Sequence, residues 1–439
     1  MDKIILDLYK KYGQHVNSSR MIPLDLDGLK PVERRVLLSL YEIAQSKFIK
    51  SARVVGHCMG HYHPHSSSYG TIVQMVRQGF ATGQGNWGSY VGIDHEPAAA
   101  ERYTEIKLNK WFVDMAFKLV DYVPWCESDL DKEPQFLPVR FPICLIGNMY
   151  SSGIGFGYKT SIPCYKMEDL LKRLLFLLKI NNEDIVIKPV TNCDILSSDD
   201  ELKKLLITGK NSVQFKGRFI VDNLRFTVNL KSWPESISFD SIIKKLEKRT
   251  SILPDIDITD YSDESGTNIE FRVTKQKNKD TIFRSLVEKI DNAITGSANF
   301  DIIVTDLDGK VRRTCVDELL LNTYRMYSII TKNMLVSEKK RNENIRDEYI
   351  SLEKIRPFVG NLCQNKIKNI NELEESVTKI SEQSGVQIEV VKSLISKYRI
   401  NKLLTTFIDV EEVSNTITAI EDNIKNLNDY VLNEYIKEN

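Results

Sequence analysis

The feature that most constrains this chain is a regular seam of aliphatic residues close to its C-terminus. The seam positions are separated alternately by four and three residues: Val413, Ile417, Ile420, Ile424, Leu427 and Val431. This is the spacing of a coiled coil, whose seam needs a second helix to cover it. The charged helical stretch at about 319–356 is long enough to be an antiparallel partner, and a smaller helical region, about 357–408, separates the two.

The rest of the chain follows two other patterns. At 439 residues the chain exceeds the size of one hydrophobic core, so several domains are expected. Residues 166–318 alternate between strand-like segments such as SVQFKGRFIV, LRFTVNL, TNIEFRVT and NFDIIVTD and helical stretches such as MEDLLKRLLFLL and SIIKKLEKR. Residues 1–165 hold most of the unusual residues. The chain is therefore predicted to be a multidomain α+β protein divided at 1–165, 166–318 and 319–439.

Composition excludes several classes of protein. No run of about eighteen apolar residues is present, which excludes a membrane-spanning helix. The N-terminal stretch MDKIILDLYKKYG lacks the pattern of a secretory signal and is typical of the start of an amphipathic helix. The seven cysteines are odd in number and scattered, which indicates reduced thiols. We therefore expect a cytoplasmic protein.

The charge is balanced overall but not locally. The 60 basic and 60 acidic residues cancel, so any affinity for nucleic acid must come from the distribution of charge. All six histidines lie in the first quarter of the chain. The stretch from Lys30 to Arg53 carries six basic residues against Glu33 and Glu42. The N-terminal part is therefore predicted to carry a local basic surface.

Three helices are predicted within this basic part. The first begins at Pro31, a favoured first helical residue, and the second covers SARVVGHCMG and ends at Gly60. The apolar face of the third comprises Tyr69, Ile72, Val73, Val76 and Phe80. Two helices joined by a tight turn beside basic residues form the outline of a helix-turn-helix.

The segment AAAERYTEIKL contains Arg102 and Tyr103, and four other blocks occur in a fixed order around it. These blocks are DGLKPVERRVL, SARVVG followed by YHPH, GQGNWG and SSGIGFGYKTSIP. Together they resemble the active-site region of the A subunits of DNA gyrase and topoisomerase IV, which are type IIA topoisomerases. The resemblance is dense over about 20–165. Beyond that, only the order of domain types agrees.

The chemistry implied by this resemblance is attack of a tyrosine on a DNA backbone phosphate. A phenol is a weak nucleophile at its usual pKa near 10 and needs activation. Negative charge builds on the phosphate oxygens during attack, and an arginine can meet it with two parallel hydrogen bonds. Arg102 is adjacent to the nucleophile Tyr103 and suits this role. The expected product is a 5′-phosphotyrosyl bond, which stores the energy for resealing.

The resemblance assigns further positions. The residues expected to take part in catalysis are Tyr103, Arg102, Arg20 and His65. Those expected to bind DNA are Lys30, Arg35, Arg53, His63 and Ile154. Ile154 matches a residue that the family inserts between base pairs, and an apolar wedge of this kind bends DNA. Asp25, Asp27 and Asp94 are interpreted as turn or capping residues rather than general bases.

Two positions depart from the family pattern. Glu33 stands where bacterial members usually have histidine, which removes one phosphate contact. The segment SSSYGT after HPH is shorter than in bacterial members, and Gly70 falls near a usual acidic position. Sensitivity to quinolone drugs is therefore not expected. Neither departure affects Arg102 or Tyr103.

The resemblance also implies an architecture and partners. It predicts a winged-helix DNA-cleavage domain, an α+β tower, and a long antiparallel coiled coil that carries a dimerising gate at about 357–408. A homodimer would use two Tyr103 residues to cut both strands of a duplex. The chain has no GxxxxGK[ST] loop, and the resemblance assigns no acidic Mg²⁺ cluster to it. ATP and Mg²⁺ are therefore assigned to a gyrase-B-like partner in an A₂B₂ assembly.

The chain ends after the returning coiled-coil helix, without a β-propeller extension. Relaxation and decatenation are therefore expected rather than negative supercoiling. This short form resembles the medium subunit of tailed-phage topoisomerases, and a viral protein would act in the host cytoplasm.

Two alternatives remain open at this stage. One is a non-catalytic helix-turn-helix protein that binds DNA as a dimer. The other is a zinc-dependent nuclease built on the cluster from His57 to His65, which includes Cys58, because the spacing of these side chains could suit tetrahedral zinc. The resemblance itself predicts no metal ligands in this chain.

Overall fold

The computed structural model describes residues 2–65, 67–89, 92–93, 96–128, 130–247, 253–263, 266–364, 370–398 and 409–436. Contacts divide the chain into two compact units, Met1–Tyr327 and Ser328–Glu438. No helix in the described part is long and apolar enough to cross a membrane.

The first unit begins with helix α1 (Asp2–Val16), which leads into a π-helical turn (Asn17–Met21). Helix α2 (Pro31–Ile43) starts at the predicted proline. The Lys30 backbone N–H donates to Glu33 Oε2 at 2.9 Å. Glu33 therefore satisfies a backbone donor at the helix start, where an acidic side chain is also favoured by the helix dipole.

Helices α3 (Ser51–His61) and α4 (Tyr69–Arg77) pack against α2. Beside them, strands β1 (Ile49–Lys50), β2 (Ala81–Gln84) and β3 (Glu105–Leu108) form an antiparallel sheet in the order β1-β3-β2. Fully buried aliphatic side chains from these elements form the local core: Val36, Leu37, Leu40, Val54, Ile72 and Ile106.

The three predicted helices are confirmed, with two corrections at their ends. Helix α3 continues to His61, one residue beyond the predicted end at Gly60. Helix α4 ends at Arg77, so the prediction that Phe80 lies on its face is wrong. Phe80 is nevertheless buried, because the chain turns after the helix and returns it to the core.

The remaining elements before residue 166 are short. They are α5 (Lys110–Ala116), the hairpin β4 (Trp125–Glu127) and β5 (Lys132–Pro134), and the hairpin β6 (Ser151–Ile154) and β7 (Lys159–Ile162), with 3₁₀ turns at Val120–Tyr122 and Ile143–Leu145.

Residues 166–318 contain both helices and strands, the mixture expected for an α+β region. Its helices are α6 (Met167–Leu177), α7 (Asp199–Thr208), α8 (Phe239–Glu247) and α9 (Lys279–Ala293), with a 3₁₀ turn at Leu253–Asp255. Its strands are β8 (Asp194–Ile195), β9 (Lys210–Lys216), β10 (Phe219–Asp222), β11 (Thr227–Leu230), β12 (Ile256–Asp260), β13 (Ile269–Val273), β14 (Thr295–Asp301), β15 (Ile303–Thr305) and β16 (Val311–Arg313).

Two antiparallel sheets organise this region, in the orders β10-β11-β13-β12 and β6-β7-β14-β9-β8. The second sheet joins strands from both sides of residue 165, because β14 pairs with β7 as well as with β9. The strand bearing Ile154 is therefore fixed to the α+β region. The three-domain division itself stays a prediction.

The second unit is helical. Its helices are the C-terminal part of α10 (Val316–Gln364), α11 (Ile370–Ser384), α12 (Ile388–Lys397), α13 (Val410–Lys425) and α14 (Leu427–Ile436). Its core is formed by Tyr349, Leu352, Ile355, Val359, Val377, Ile380, Val386, Val391 and Leu394. The predicted gate at about 357–408 lies partly outside the described residues, at 365–369 and 399–408.

The seam near the C-terminus is distributed over two helices rather than one. The helix breaks at Asn426, which has φ −103° and ψ 41°, so the prediction of one continuous last helix is wrong at this residue. Ile417, Ile420 and Val431 of the seam are buried, and the helices α10 and α13 are linked by an ion pair between Lys339 and Glu421 at 2.8 Å. The antiparallel coiled coil stays a prediction.

Candidate active site

The predicted nucleophile lies on an exposed turn directly before β3. The Tyr103 side chain is 63% exposed, and its backbone N–H donates to the Ala100 carbonyl at 2.8 Å. The Arg102 guanidinium carbon lies 4.7 Å from the centre of the Tyr103 ring, within the range of a cation–π contact. A solvent-accessible phenol and a permanent positive charge are thus side by side.

The next residue anchors this turn. Thr104 is fully buried, and its Oγ1 lies 2.8 Å from Ser51 Oγ and 3.0 Å from Tyr69 Oη. The Ser51 backbone N–H also donates to the Thr104 carbonyl at 3.0 Å. Buried hydroxyl groups that bond to one another are costly to rearrange. The position of Tyr103 is therefore fixed by the start of α3 and by α4.

The GQGNWG block packs against the same turn. Gly85 has φ +95°, and a Cβ at this position would lie 3.0 Å from the Tyr103 carbonyl oxygen. A Cβ on Gly83 would lie 2.2 Å from Trp87 Nε1. Both positions need glycine, the first for its left-handed backbone and the second for space. The block therefore supports the turn behind the tyrosine.

A second cluster contains arginine and histidine. Arg35 Nε and Nη2 donate to the two oxygens of Glu133, each at 2.8 Å, and Arg35 Nη1 lies 3.3 Å from His63 Nδ1. The rings of His63 and His65 are 5.5 Å apart and perpendicular. The charge of Arg20, an exposed residue of the π-helical turn, also acts on His63. The structure thus brings together three of the predicted site residues, Arg35, His63 and His65, and Arg20 is near enough for its charge to act on His63.

The environment of His63 favours the neutral imidazole. Burial lowers the pKa of His63, and the neighbouring Arg35, His65 and Arg20 lower it further, while Glu133 opposes them. Three neighbours that are or can become positively charged make protonation of the ring unfavourable. His63 is therefore suited to donate a hydrogen bond as a neutral ring.

The two clusters lie at opposite ends of α3. The Ala52 backbone N–H donates to the Glu101 carbonyl at 3.2 Å, which attaches the tyrosine turn to the start of the helix. His63 follows the helix end, and its N–H donates to the Cys58 carbonyl at 2.7 Å. The ten steps between the first and last of the eleven residues of α3, at 1.5 Å each, span about 15 Å. Within one chain, α3 therefore lies between the Arg102–Tyr103 pair and the arginine–histidine cluster.

Three further predicted DNA contacts lie on other elements. Ile154 ends β6 and is 73% exposed. Lys30 Nζ donates to the Ser152 carbonyl at 2.6 Å, which ties the start of α2 to the strand of Ile154. Arg53 is exposed on α3, near the end that carries the tyrosine turn.

Two residues near these positions were missed by the sequence analysis. Glu133 holds Arg35, and no local pattern marked it. Asn17 is buried in the π-helical turn; its Oδ1 accepts the Phe156 N–H at 2.7 Å and its Nδ2 donates to the Phe156 carbonyl at 3.0 Å. Asn17 therefore fixes the loop that follows Ile154. The sequence does not mark Asn17, because its burial is visible only in the structure.

Two other histidines, His57 and His61, face carboxylates. His57 Nε2 lies 3.6 Å from Glu42 Oε2, and His61 Nδ1 lies 3.2 Å from Asp131 Oδ2. Burial raises the pKa of the Cys58 thiol, which disfavours the thiolate that zinc requires. Among the described residues, no group of three or more His, Cys, Asp or Glu side chains could hold a metal ion. This arrangement does not fit the zinc nuclease.

Of the three aspartates interpreted as turn or capping residues, Asp27 shows this role. Asp27 accepts the Leu29 N–H at 3.0 Å within a turn, and it also binds Arg34. Asp25 is instead paired with Arg312 at 2.7 Å. Asp94 lies outside the described residues.

Together these features define a multidomain α+β protein that presents an exposed arginine–tyrosine pair and a separate arginine–histidine cluster. Comparison with known families matches residues 20–439 to the family of the DNA gyrase/topoisomerase IV A subunits. The chain therefore belongs to this family, and the resemblance inferred from its sequence blocks is confirmed.

Comparison with individual proteins gives the same family. The chain is 28% identical over 427 residues to the A subunit of DNA topoisomerase 4 from Staphylococcus aureus, covering 90% of this chain and 52% of the relative. It is 26% identical over 444 residues to the A subunit of DNA gyrase from Thermotoga maritima, covering 94% of this chain and 53% of the relative. The chain thus spans about half the length of the curated relatives it matches.

Proposed function

We propose that this chain is the DNA cleavage and religation component of a type IIA topoisomerase, with Tyr103 as its nucleophile. The observation that carries the proposal is the exposed phenol beside the Arg102 guanidinium, on a turn that buried hydrogen bonds hold in place. Membership of the gyrase and topoisomerase IV A-subunit family supports the same assignment.

The reaction exchanges one phosphodiester for another. The Tyr103 oxygen attacks a backbone phosphorus and loses its proton, while the bond to the 3′ oxygen of the neighbouring nucleotide breaks and that oxygen gains a proton. The product is a 5′-phosphotyrosyl bond and a free 3′-hydroxyl. Attack by the 3′-hydroxyl reverses the step without another energy source. Arg102 stabilises the charge on the phosphate oxygens.

Each complete site requires two copies of the chain. Because about 15 Å of α3 lies between the turn that carries Tyr103 and the cluster of Arg20, His63 and His65, we infer that the groups acting on one phosphate come from different protomers. In a homodimer, the arginine–histidine cluster of one protomer meets the tyrosine of the other. Two such sites cut opposite strands and produce a double-strand break.

The other predicted contacts support binding and bending of the duplex. Helices α2, α3 and α4 with the sheet of β1, β2 and β3 act as a winged-helix domain that carries Lys30, Arg35 and Arg53. Ile154 projects from β6 and is inserted between base pairs, which bends the DNA at the cost of partial unstacking. The α+β region then acts as the tower, and the helical unit as a coiled coil with a dimerising gate.

ATP and Mg²⁺ would act through a second protein. The described residues of this chain offer no acidic cluster for a metal, and the sequence contains no phosphate-binding loop. A gyrase-B-like partner in an A₂B₂ assembly would supply both and drive passage of a second duplex through the break.

The test is a cleavage assay with the gyrase-B-like partner, Mg²⁺ and end-labelled plasmid, stopped with detergent. Wild type should yield DNA with protein linked to its 5′ ends, and Tyr103→Phe should yield none. Tyr261→Phe is the matched control, because Tyr261 is also exposed but lies in the α+β region. The control should cleave like wild type.

Other outcomes identify the alternatives. Cleavage by Tyr103→Phe, or ends without protein, would refute the assignment and favour a metal-dependent nuclease. DNA binding by wild type without any covalent product would favour the non-catalytic helix-turn-helix protein.

A further inference from the structure

Glu133 lies on β5, outside the helices and turns that carry the candidate site. Its carboxylate accepts two hydrogen bonds from Arg35, each at 2.8 Å, in a fork-to-fork arrangement. The side chains of Arg35 and Glu133 are only 13% and 14% exposed. A bidentate pair that is largely shielded from water is stronger and more rigid than a surface ion pair.

The third contact of Arg35 determines the state of a histidine. Arg35 Nη1 lies 3.3 Å from His63 Nδ1. A guanidinium can only donate hydrogen bonds, so His63 Nδ1 must accept and cannot carry a proton. A neutral ring then carries its proton on Nε2, which points away from Arg35.

We propose that Glu133 is a positioning residue that holds Arg35 against His63 and thereby fixes His63 as a neutral donor through its Nε2–H. The proposal rests on the function proposed above, in which His63 belongs to the arginine–histidine cluster that meets the tyrosine of the other protomer at the DNA. Glu133 already binds two nitrogens of Arg35. We therefore assign Arg35 mainly to contacts within the protein, and the contact with DNA mainly to His63.

The charged neighbours of His63 come from four elements. Arg35 approaches from α2, Arg20 from the π-helical turn, His65 from the same turn as His63, and Glu133 from β5. Arg35, His65 and Arg20 disfavour protonation of the ring, whereas the charge of Glu133 favours it. These opposite signs provide a test of whether Glu133 acts through Arg35.

The first experiment measures the His63 ring by NMR on the full chain with ¹⁵N-labelled histidine, using His63→Gln to assign its signals. Wild type should show a neutral ring with the proton on Nε2 at pH 7. If Glu133 acts through Arg35, E133Q releases Arg35, the two tautomers become mixed, and the pKa of His63 rises. A fall of that pKa with the tautomer unchanged would mean that Glu133 acts only through its own charge, and would overturn the proposal.

The second experiment is a double-mutant cycle in the cleavage assay. E133Q should reduce cleavage on the order of tenfold, the size of one charge-assisted hydrogen bond. E133Q introduced into an R35Q variant should not lower cleavage further, because the effect of Glu133 passes through Arg35. Additive losses in the double variant would refute the positioning role.

The control is D301N, which removes a similar bidentate pair between Asp301 and Arg313 in the α+β region. It should leave both cleavage and the His63 signals unchanged. The two hypotheses fail separately: the NMR result needs no DNA, whereas covalent products from Tyr103→Phe would refute the proposed function whatever the state of His63.

Discussion

The most demanding prediction concerns a buried carboxylate at the start of α2. Asp27 is fully buried and its two oxygens accept four N–H donors. Oδ2 accepts from Arg34 Nε at 2.7 Å and Leu137 N at 3.0 Å, while Oδ1 accepts from Leu29 N at 3.0 Å and Arg34 Nη2 at 3.1 Å. This carboxylate therefore joins the start of α2 to a loop more than a hundred residues away.

The change Asp27→Asn preserves shape but not this pattern. In either orientation, the amide NH₂ would face two N–H donors, and Arg34 would remain a buried charge without its partner. Removing one member of a buried ion pair costs about 3–5 kcal/mol. This is a large part of the roughly 5–15 kcal/mol that stabilises a typical domain. Lys30 and Arg35 lie close to this anchor, so their positions should also be disturbed.

The measurement is hydrogen exchange of the backbone amides of α2, read by mass spectrometry. A loss of about 3–5 kcal/mol corresponds to a fall in protection of about two to four powers of ten. The control Asp194→Asn removes an exposed pair with Arg218 and should not change protection measurably. If the α2 amides of the Asp27→Asn variant were as protected as those of the control, the inferred role of the buried carboxylate would be wrong.

Three further predictions test the site and its surroundings. Thr104→Val removes the hydroxyl bonded to Ser51, so it should destabilise the first unit by about 1–3 kcal/mol in urea unfolding; a wild-type midpoint would contradict this. Ile154→Ala should reduce DNA bending measured by energy transfer without lowering stability, because the side chain is mostly exposed; unchanged bending would exclude the wedge. Burial lowers the pKa of His57 and His63. The unfolded chain therefore binds more protons, stability is lost as pH falls below about 6.5, and His57→Gln should weaken that loss.

The sequence predicted the elements whose signals are local. Pro31 marked the start of α2, and the aliphatic spacing from Val413 to Val431 marked buried positions in the last helices. Such signals depend on neighbours within one or two turns, which share a helix face. The arginine–tyrosine pair was also local, because Arg102 and Tyr103 are adjacent.

The contacts that organise the site are long-range and could not be predicted in this way. Arg35 and Glu133 are 98 residues apart in the sequence, and neither belongs to a periodic pattern that points to the other. Asn17 binds Phe156 across 139 residues. The break at Asn426 was missed because the seam keeps its spacing across a single non-helical residue.

The length of α3 leads to a final prediction, which tests the proposal that two chains share each site. A mixed dimer can be purified with two affinity tags, with Tyr103→Phe in one chain and Arg20→Ala in the other. If tyrosine and arginine come from different chains, one site carries both defects and the other is intact. The dimer should then nick one strand at the wild-type rate per site and remain attached to it.

The swapped arrangement provides the control. When both changes lie in the same chain, a site shared between chains has one defect on each side, and nicking should fall to the level of an Arg20→Ala site. If each chain formed its own site, the two results would be exchanged, because the doubly altered chain would leave its partner intact. That exchange would contradict the separation of about 15 Å along α3 and the shared site built on it.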